Sequence, residues 1–175
     1  GDLTKTTLGT FVPGDLEYCR VAIDLSVISV LLDAGAGGAW RYRDETTQAQ
    51  YERSEGLAVA SLRMFDSGLF SSDPGQRHRV DSAALSRLDA SQLQTGLQVT
   101  EGNPLPGINE RVTLLNALGH VLSHQPPADV LERPADLVLN GIDGDTIRAD
   151  ELLSHVLRKL NSIWPQGLYY NDQPL

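Results

Sequence analysis

Apolar positions crowd one early stretch and recur at helical spacing in several later ones. Residues 16–35 read LEYCRVAIDLSVISVLLDAG with no breaker before Gly35. Asp15, just after Pro13-Gly14, is of the type that caps a helix N-terminus. Leu16, Cys19, Ile23, Val27, Val30 and Leu31 share one face, while Val21, Leu25, Ile28 and Leu32 add a second apolar side. A helix apolar on two sides is covered nearly all round in its C-terminal half, and this pattern predicts the central helix of the fold. The glycine-rich run 35–38 ends it, and WRYRDETTQAQYER reads as a polar, aromatic-bearing connection rather than a strand.

Ser54 reads as the cap of a helix running to about Phe65, with Leu57, Ala58, Leu62 and Phe65 facing inward. SGLFSSDPGQRHRV is a loop with a short extended piece at its end. Asp81 and Ser91 read as caps of two short helices, DSAALSRLD and SQLQTGLQV. NPLPGIN is a turn, followed by ERVTLLNALGHVL with Leu114, Leu115, Leu118, Val121 and Leu122 on helical spacing and Pro126-Pro127 as its stop. RPADLVLNGIDGDTIRA reads as loop with room for a single helical turn, and Asp150 as the cap of a last helix with an apolar stripe from Leu152 to Trp164. No repeat and no alternating strand–helix pattern appears, so the expected fold is all-α: a single irregular multi-helix domain over residues 1–175 with a buried central helix.

Composition narrows what such a fold could do. At 175 residues the chain fits one domain and needs neither disulfide nor metal to build a core. The one cysteine, Cys19, cannot form an intrachain bridge, and a reducing, cytoplasmic setting is the expectation. No apolar run approaches the roughly 20 residues that span a bilayer, so no membrane partner is expected. The only methionine is Met64, which suggests a trimmed or excerpted chain. A net charge of −9 opposes binding to a phosphate backbone, so no nucleic-acid partner is expected. Lysine occurs only at Lys5 and Lys159, neither placed to form a Schiff base with pyridoxal phosphate.

His120 and His124 share a helical face, but Val121 stands where a zinc-protease signature carries glutamate, and no third ligand is evident. IDGDTIRADE lacks the alternating ligands of a calcium loop. No metal and no cofactor is therefore expected. LPGIN, at residues 105–109, is similar to the turn of helix-hairpin-helix domains, in which a helix N-terminus holds a phosphate.

Residues 31–58 hold the densest mixture of glycines, aromatics and opposed charges. Asp33 lies at the C-terminal end of an apolar helix, where the partial negative charge and burial both disfavour its ionised form. Glu55 lies in the first turn of the next helix, where the partial charge has the opposite sign. Two carboxyls at helix ends of opposite polarity have the asymmetry that acid and base roles require. Trp40 and Tyr42 offer flat faces for a ring or sugar, and Arg41, Arg43 and Arg53 offer donors. The structural alternative is an Asp33–Arg53 ion pair that merely ties two helices together.

LLDAGAG followed by W-R-Y, then RSEGLAVAS, MF, G-L-F-S, NPLPG and IWPQG, in order from about Asp24 to Gly167, resemble one family. It is the Urc/Urg group of uracil-catabolism proteins of fungi and bacteria, long catalogued as a domain of unknown function. Family members look about twice as long, so the chain would be their C-terminal part. The resemblance implies a role in pyrimidine degradation through ribosylated uracil, ring opening and urea release. By analogy with helical glycosylases, it implies hydrolysis of the N-ribosidic bond of a ribosylurea-type small-molecule substrate. Asp33 and Glu55 would be catalytic, with Trp40, Arg41, Tyr42, Arg53, Ser54, Asn103 and Arg111 contacting substrate. The alternative is a non-catalytic binding or scaffold subunit of the same pathway. The sequence leaves the oligomeric state open.

Overall fold

The computed structural model describes residues 16–33, 38–123 and 133–135, together with the short strands at 169–170 and 173–174. Among these residues run α1 (Leu16–Leu32), β1 (Arg41–Arg43), β2 (Gln50–Glu52), α2 (Arg53–Ser67), α3 (Ser82–Arg87), α4 (Ala90–Gly96), α5 (Ile108–Ser123), β3 (Tyr169–Tyr170) and β4 (Gln173–Pro174). The architecture is mostly helical, with two small antiparallel hairpins, β1–β2 and β3–β4.

The continuous apolar run makes α1 the buried centre. Ala22, Ile23, Leu25, Val27, Ile28, Leu31 and Leu32 are all buried, and both α2 and α5 pack against the helix. Burying apolar surface on two sides stabilises a helix that has little amphipathic character of its own. The predicted cap Asp15 lies outside the described residues, as do the helix predicted after Asp150, the stop at Pro126-Pro127 and His124.

Three helix boundaries differ from expectation. Ser54 does not cap α2: the N-cap position is Glu52, which makes no side-chain cap, and the helix runs on to Ser67. It closes with Gly68 in the left-handed conformation, φ 85°, and with backbone bonds from Gly68 to Phe65 and from Leu69 to Met64. Asp81 caps α3 as expected, but α4 is capped by Asp89 rather than Ser91. Asp89 accepts from the Gln92 amide at 2.8 Å while the Gln92 side chain accepts from the Asp89 amide at 3.0 Å. This reciprocal capping box begins the helix one residue before Ser91. The α5 helix starts at Ile108, inside the predicted turn, directly after Gly107 at φ 80°.

The segment 40–53, expected to be an irregular connection, contains the β1–β2 hairpin. Arg41 pairs with Glu52, Tyr42 with Tyr51 and Arg43 with Gln50. Strands of three residues are too short to carry a two-residue period, so tertiary contacts must hold them. Asp44, buried at the end of β1, accepts from Arg63 of α2 through both oxygens, at 2.9 and 3.0 Å, and from Thr46 and Thr47 in the turn. On the free edge of β1, two side-chain amides act as a third strand. Asn103 accepts from the Arg41 amide and donates to its carbonyl, both at 2.8 Å, while Gln98 does the same for Arg43 at 2.9 and 2.8 Å. The edge is thereby satisfied without a further strand.

Beyond α1, α5 is the main packing partner of α3. Asn116 of α5 donates to the carbonyls of Leu85 and Leu88 at 2.7 and 3.0 Å, filling acceptors that the short α3 leaves open. Gly119 allows the close approach, because a Cβ there would stand 2.6 Å from the Ser86 backbone nitrogen.

Candidate functional site

Three helix ends converge on Asp33. It follows the last residue of α1, and its amide still bonds to the Ser29 carbonyl at 2.9 Å, so the side chain leaves from the helix terminus itself. From the first turn of α2, the Ser54 hydroxyl donates to the Asp33 carboxylate, 2.9 Å from each oxygen. From the first turn of α5, the fully buried Arg111 donates Nε to the Leu32 carbonyl at 2.9 Å and a terminal nitrogen to the Pro106 carbonyl. A cation thus closes the C-terminus of α1, where the helix dipole is negative.

The carboxyl at this junction is half-buried, and burial pushes it above the ordinary carboxylate range. The Ser54 hydrogen bond and the charge of Arg111 oppose the rise without cancelling it. Glu55, one residue beyond Ser54, is exposed in the first turn of α2. The junction therefore offers a carboxyl that holds its proton more readily than usual, a hydroxyl on it, and a second, solvent-facing carboxyl one residue further along.

Arg53 is exposed and takes a left-handed backbone, φ 53°, where β2 turns into α2. For an L-residue that conformation is held against a steric cost. Among the described residues Asp33 and Arg53 form no ion pair. Ser54 occupies the carboxylate instead, so the helix-tying alternative is replaced by a hydroxyl contact.

Other residues of the predicted site serve as walls. Trp40 is 1% exposed and donates Nε1 to the Leu97 carbonyl at 2.9 Å. Its ring lies against α2 where Gly56 provides space: a Cβ on Gly56 would stand 2.9 Å from the ring. Its faces are covered by protein, which corrects the expectation of a stacking platform. Tyr42 is 5% exposed, with its ring 6.5 Å from that of Trp40, and burial pushes its phenol up. Asn103 uses its amide to complete the β1 edge and to donate to Gln98, rather than facing open solution. Arg111 is buried behind Asp33. Arg41 is partly exposed, pairs with Glu52 at 3.0 Å and donates to the Gly38 and Trp40 carbonyls. Of the predicted set, Asp33, Ser54 and Arg111 are joined at one junction, with Arg53 and Glu55 flanking Ser54. Trp40, Tyr42 and Asn103 form the hairpin side.

Sequence reasoning passed over two buried carboxylates, Asp44 and Asp24, and most of the partners of a third, the cap Asp81. The Asp44 carboxyl is lowered to about 2, chiefly by the Arg63 hydrogen bonds. Asp81 accepts from the Ser72 and Ala84 amides and the Ser72 hydroxyl and lies 3.2 Å from Arg79, which together hold it below the usual range against the cost of burial. Asp24, fully buried in α1, accepts from Arg133 at 2.9 and 2.7 Å and from the Ala135 amide at 2.8 Å. The D-x-T-T order at Asp44 is an Asx-type turn signal that could have flagged the first. The Ala84 contact of Asp81 is the cap that its local sequence announces, but no local pattern announces its Ser72 and Arg79 contacts or the partners of Asp24. Among the described residues no group of three or more histidine, cysteine or carboxylate side chains is arranged to hold a metal ion, and no helix is long and apolar enough to cross a membrane.

This mostly helical chain, with its carboxyl at a junction of helix ends, matches over residues 3–175 the family described as protein of unknown function DUF1688, and it belongs to that family. It is 44% identical over 160 residues to Protein urg3 of Schizosaccharomyces pombe, covering 91% of this chain and 39% of the relative. It is 37% identical over 162 residues to Uracil catabolism protein 4 of Lachancea kluyveri, covering 87% of this chain and 37% of the relative. The chain thus spans about two fifths of the length of these curated relatives. No solved structure matches it.

Proposed function

We propose that the chain acts in uracil catabolism, hydrolysing the N-ribosidic bond of a ribosylurea-type intermediate and releasing urea. The observation that carries this reading is the half-buried Asp33 carboxyl, raised by burial at the junction of three helix ends, with Ser54 on it and Glu55 beside Ser54. The pathway is drawn from the similarity to the Lachancea kluyveri relative, which is named for uracil catabolism.

Cleaving an N-ribosidic bond sends the bonding electrons to the departing nitrogen and leaves oxocarbenium character at the anomeric carbon. An acid that holds its proton more firmly than an ordinary carboxyl suits the leaving nitrogen, and burial moves Asp33 in that direction. Glu55 is the second carboxyl, stabilising positive charge and taking a proton from the attacking water. Ser54 orients Asp33, Arg111 positions the end of α1, and Arg53 and Arg41 are the exposed donors for sugar hydroxyls or the urea group.

The test is release of free urea from ribosylurea by the purified chain and by a full-length relative. Asp33→Asn and Glu55→Gln should each lower turnover by at least 100-fold, the low end of what general acid or base catalysis supplies. No release by either protein would sink the hydrolase reading. A second reading, a non-catalytic scaffold subunit, draws on the burial of Trp40 and the structural use of Asn103, which leave fewer groups facing a ligand. Absence of release by both proteins would count for that reading, whereas release that both variants leave unchanged would move the chemistry away from Asp33 and Glu55.

A further inference from the structure

A groove of about 700 Å³ lies between the loop at residues 74–80 and Arg133, away from the Asp33 junction. Among the described residues its lining includes Arg77, His78, Arg79 and Arg133 and no carboxylate. In a chain of net charge −9 with 12 arginines, that places a quarter of the arginines around one concavity. We infer that this groove is a second ligand site, which takes a small molecule bearing a phosphate group.

The cations are held in place from behind. Asp81 lies 3.2 Å from Arg79, and Gln76 accepts from the same guanidinium at 3.3 Å. Asp24 holds Arg133 through two contacts, from beneath the groove rather than within it. Arg77 is exposed, and its Cβ packs 2.8 Å from the point where a Cβ on Gly68 would stand, so its stem is fixed while its head is open. The loop is itself built. Asp73 accepts from the Gly75 and Gln76 amides at 2.8 and 3.0 Å, and the Ser71 hydroxyl donates to the Gln76 carbonyl at 2.7 Å. Ordered guanidinium forks match the oxygens of a phosphate in pairs, and their prior ordering lowers the entropic cost of binding.

Size and position decide the class of ligand. The volume falls within the roughly 300–1,000 Å³ of small-molecule sites, and one loop with one arginine is a small footprint for a macromolecule. Asp24, which holds Arg133, precedes Asp33 by nine residues on α1, roughly 13 Å along the helix and about half a turn around it. The groove is therefore a site apart from the Asp33 junction, not the phosphate end of a substrate bound there, and it stands or falls independently of the proposed hydrolysis.

Calorimetric titration of the chain with inorganic phosphate, ribose 5-phosphate and ribose tests this. At least one phosphate probe should bind and ribose should not. Tighter binding of ribose 5-phosphate identifies a phosphate ester as the ligand class, and tighter binding of inorganic phosphate identifies the free anion. Arg77→Glu should weaken binding at least tenfold with an unchanged melting temperature, and His78→Gln should weaken it less, while Asp33→Asn should leave it intact. Equal binding by Arg77→Glu and the parent, or no response to either phosphate probe, overturns the inference. Binding of a poly-glutamate peptide without response to phosphate also overturns it, in favour of an acidic protein partner.

Discussion

Asp33 and Asp44 both accept hydrogen bonds at the end of a secondary-structure element, yet burial and partners shift them in opposite directions. Two guanidinium bonds from Arg63 outweigh desolvation at Asp44 and lower it to about 2. One hydroxyl and a more distant arginine do not outweigh desolvation at Asp33, which is raised. The stability contributions carry opposite signs through linkage. That of Asp44 is present above the ordinary carboxylate value near 3.8 and is lost as pH falls through about 2. That of Asp33 is complete below 3.8 and is lost as pH rises through its raised folded value. Asp33→Asn keeps an oxygen for the Ser54 hydroxyl and removes the half-buried charge. Its stability to urea at pH 7 should equal or exceed that of the parent, within about 1 kcal/mol, and the parent should gain on the variant as pH falls toward 4. A loss of several kcal/mol at pH 7 would instead make the Asp33–Ser54 contact a structural clasp and remove the reason to regard the carboxyl as held ready for chemistry.

At the scale of elements, the hairpin shows where local reading fails. The centre and end of α1 were legible because nineteen residues without a breaker leave few alternatives. The Asp81 cap was legible because its partner, the Ala84 amide, is three residues away. The Asp89–Gln92 box was equally local, and attention to the D-x-x-Q spacing would have preferred it to Ser91. By contrast, β1 depends on Gln98 and Asn103, 55 and 62 residues further on, and on Arg63 in α2. Nothing within the hairpin's own sequence specifies those partners, and the same distance made Trp40 look like an open ring and Asn103 like a ligand contact. Asn103→Ala removes three side-chain hydrogen bonds and leaves the Arg41 amide and carbonyl without them. It should cost about 2–3 kcal/mol and speed amide exchange in residues 41–43 more than in α5. Unchanged exchange there would show that β2 and Arg63 suffice to hold the strand.

Over the whole molecule, α1 connects segments that lie far apart in the chain. Its Asp33 end meets α2 and α5, and its middle meets residues 133–135 through Asp24, a contact that closes a loop of 109 residues. A fully buried carboxylate paired with a mostly buried arginine is weak evidence of net stabilisation, but removing one partner strands the other. Asp24→Asn and Arg133→Met should each lose about 3 kcal/mol in urea denaturation. The double variant should lose little more than either, because the second change removes a group that the first had already left without its counter-charge. Losses that simply add would mean that the Ala135 amide and the surrounding apolar contacts, rather than the ion pair, hold this segment to α1. The same variants separate the tie from the groove above it. Asp24→Asn keeps the Arg133 guanidinium and should retain much of the phosphate binding, whereas Arg133→Met removes one of its cations and should weaken phosphate binding even where its stability loss is the same.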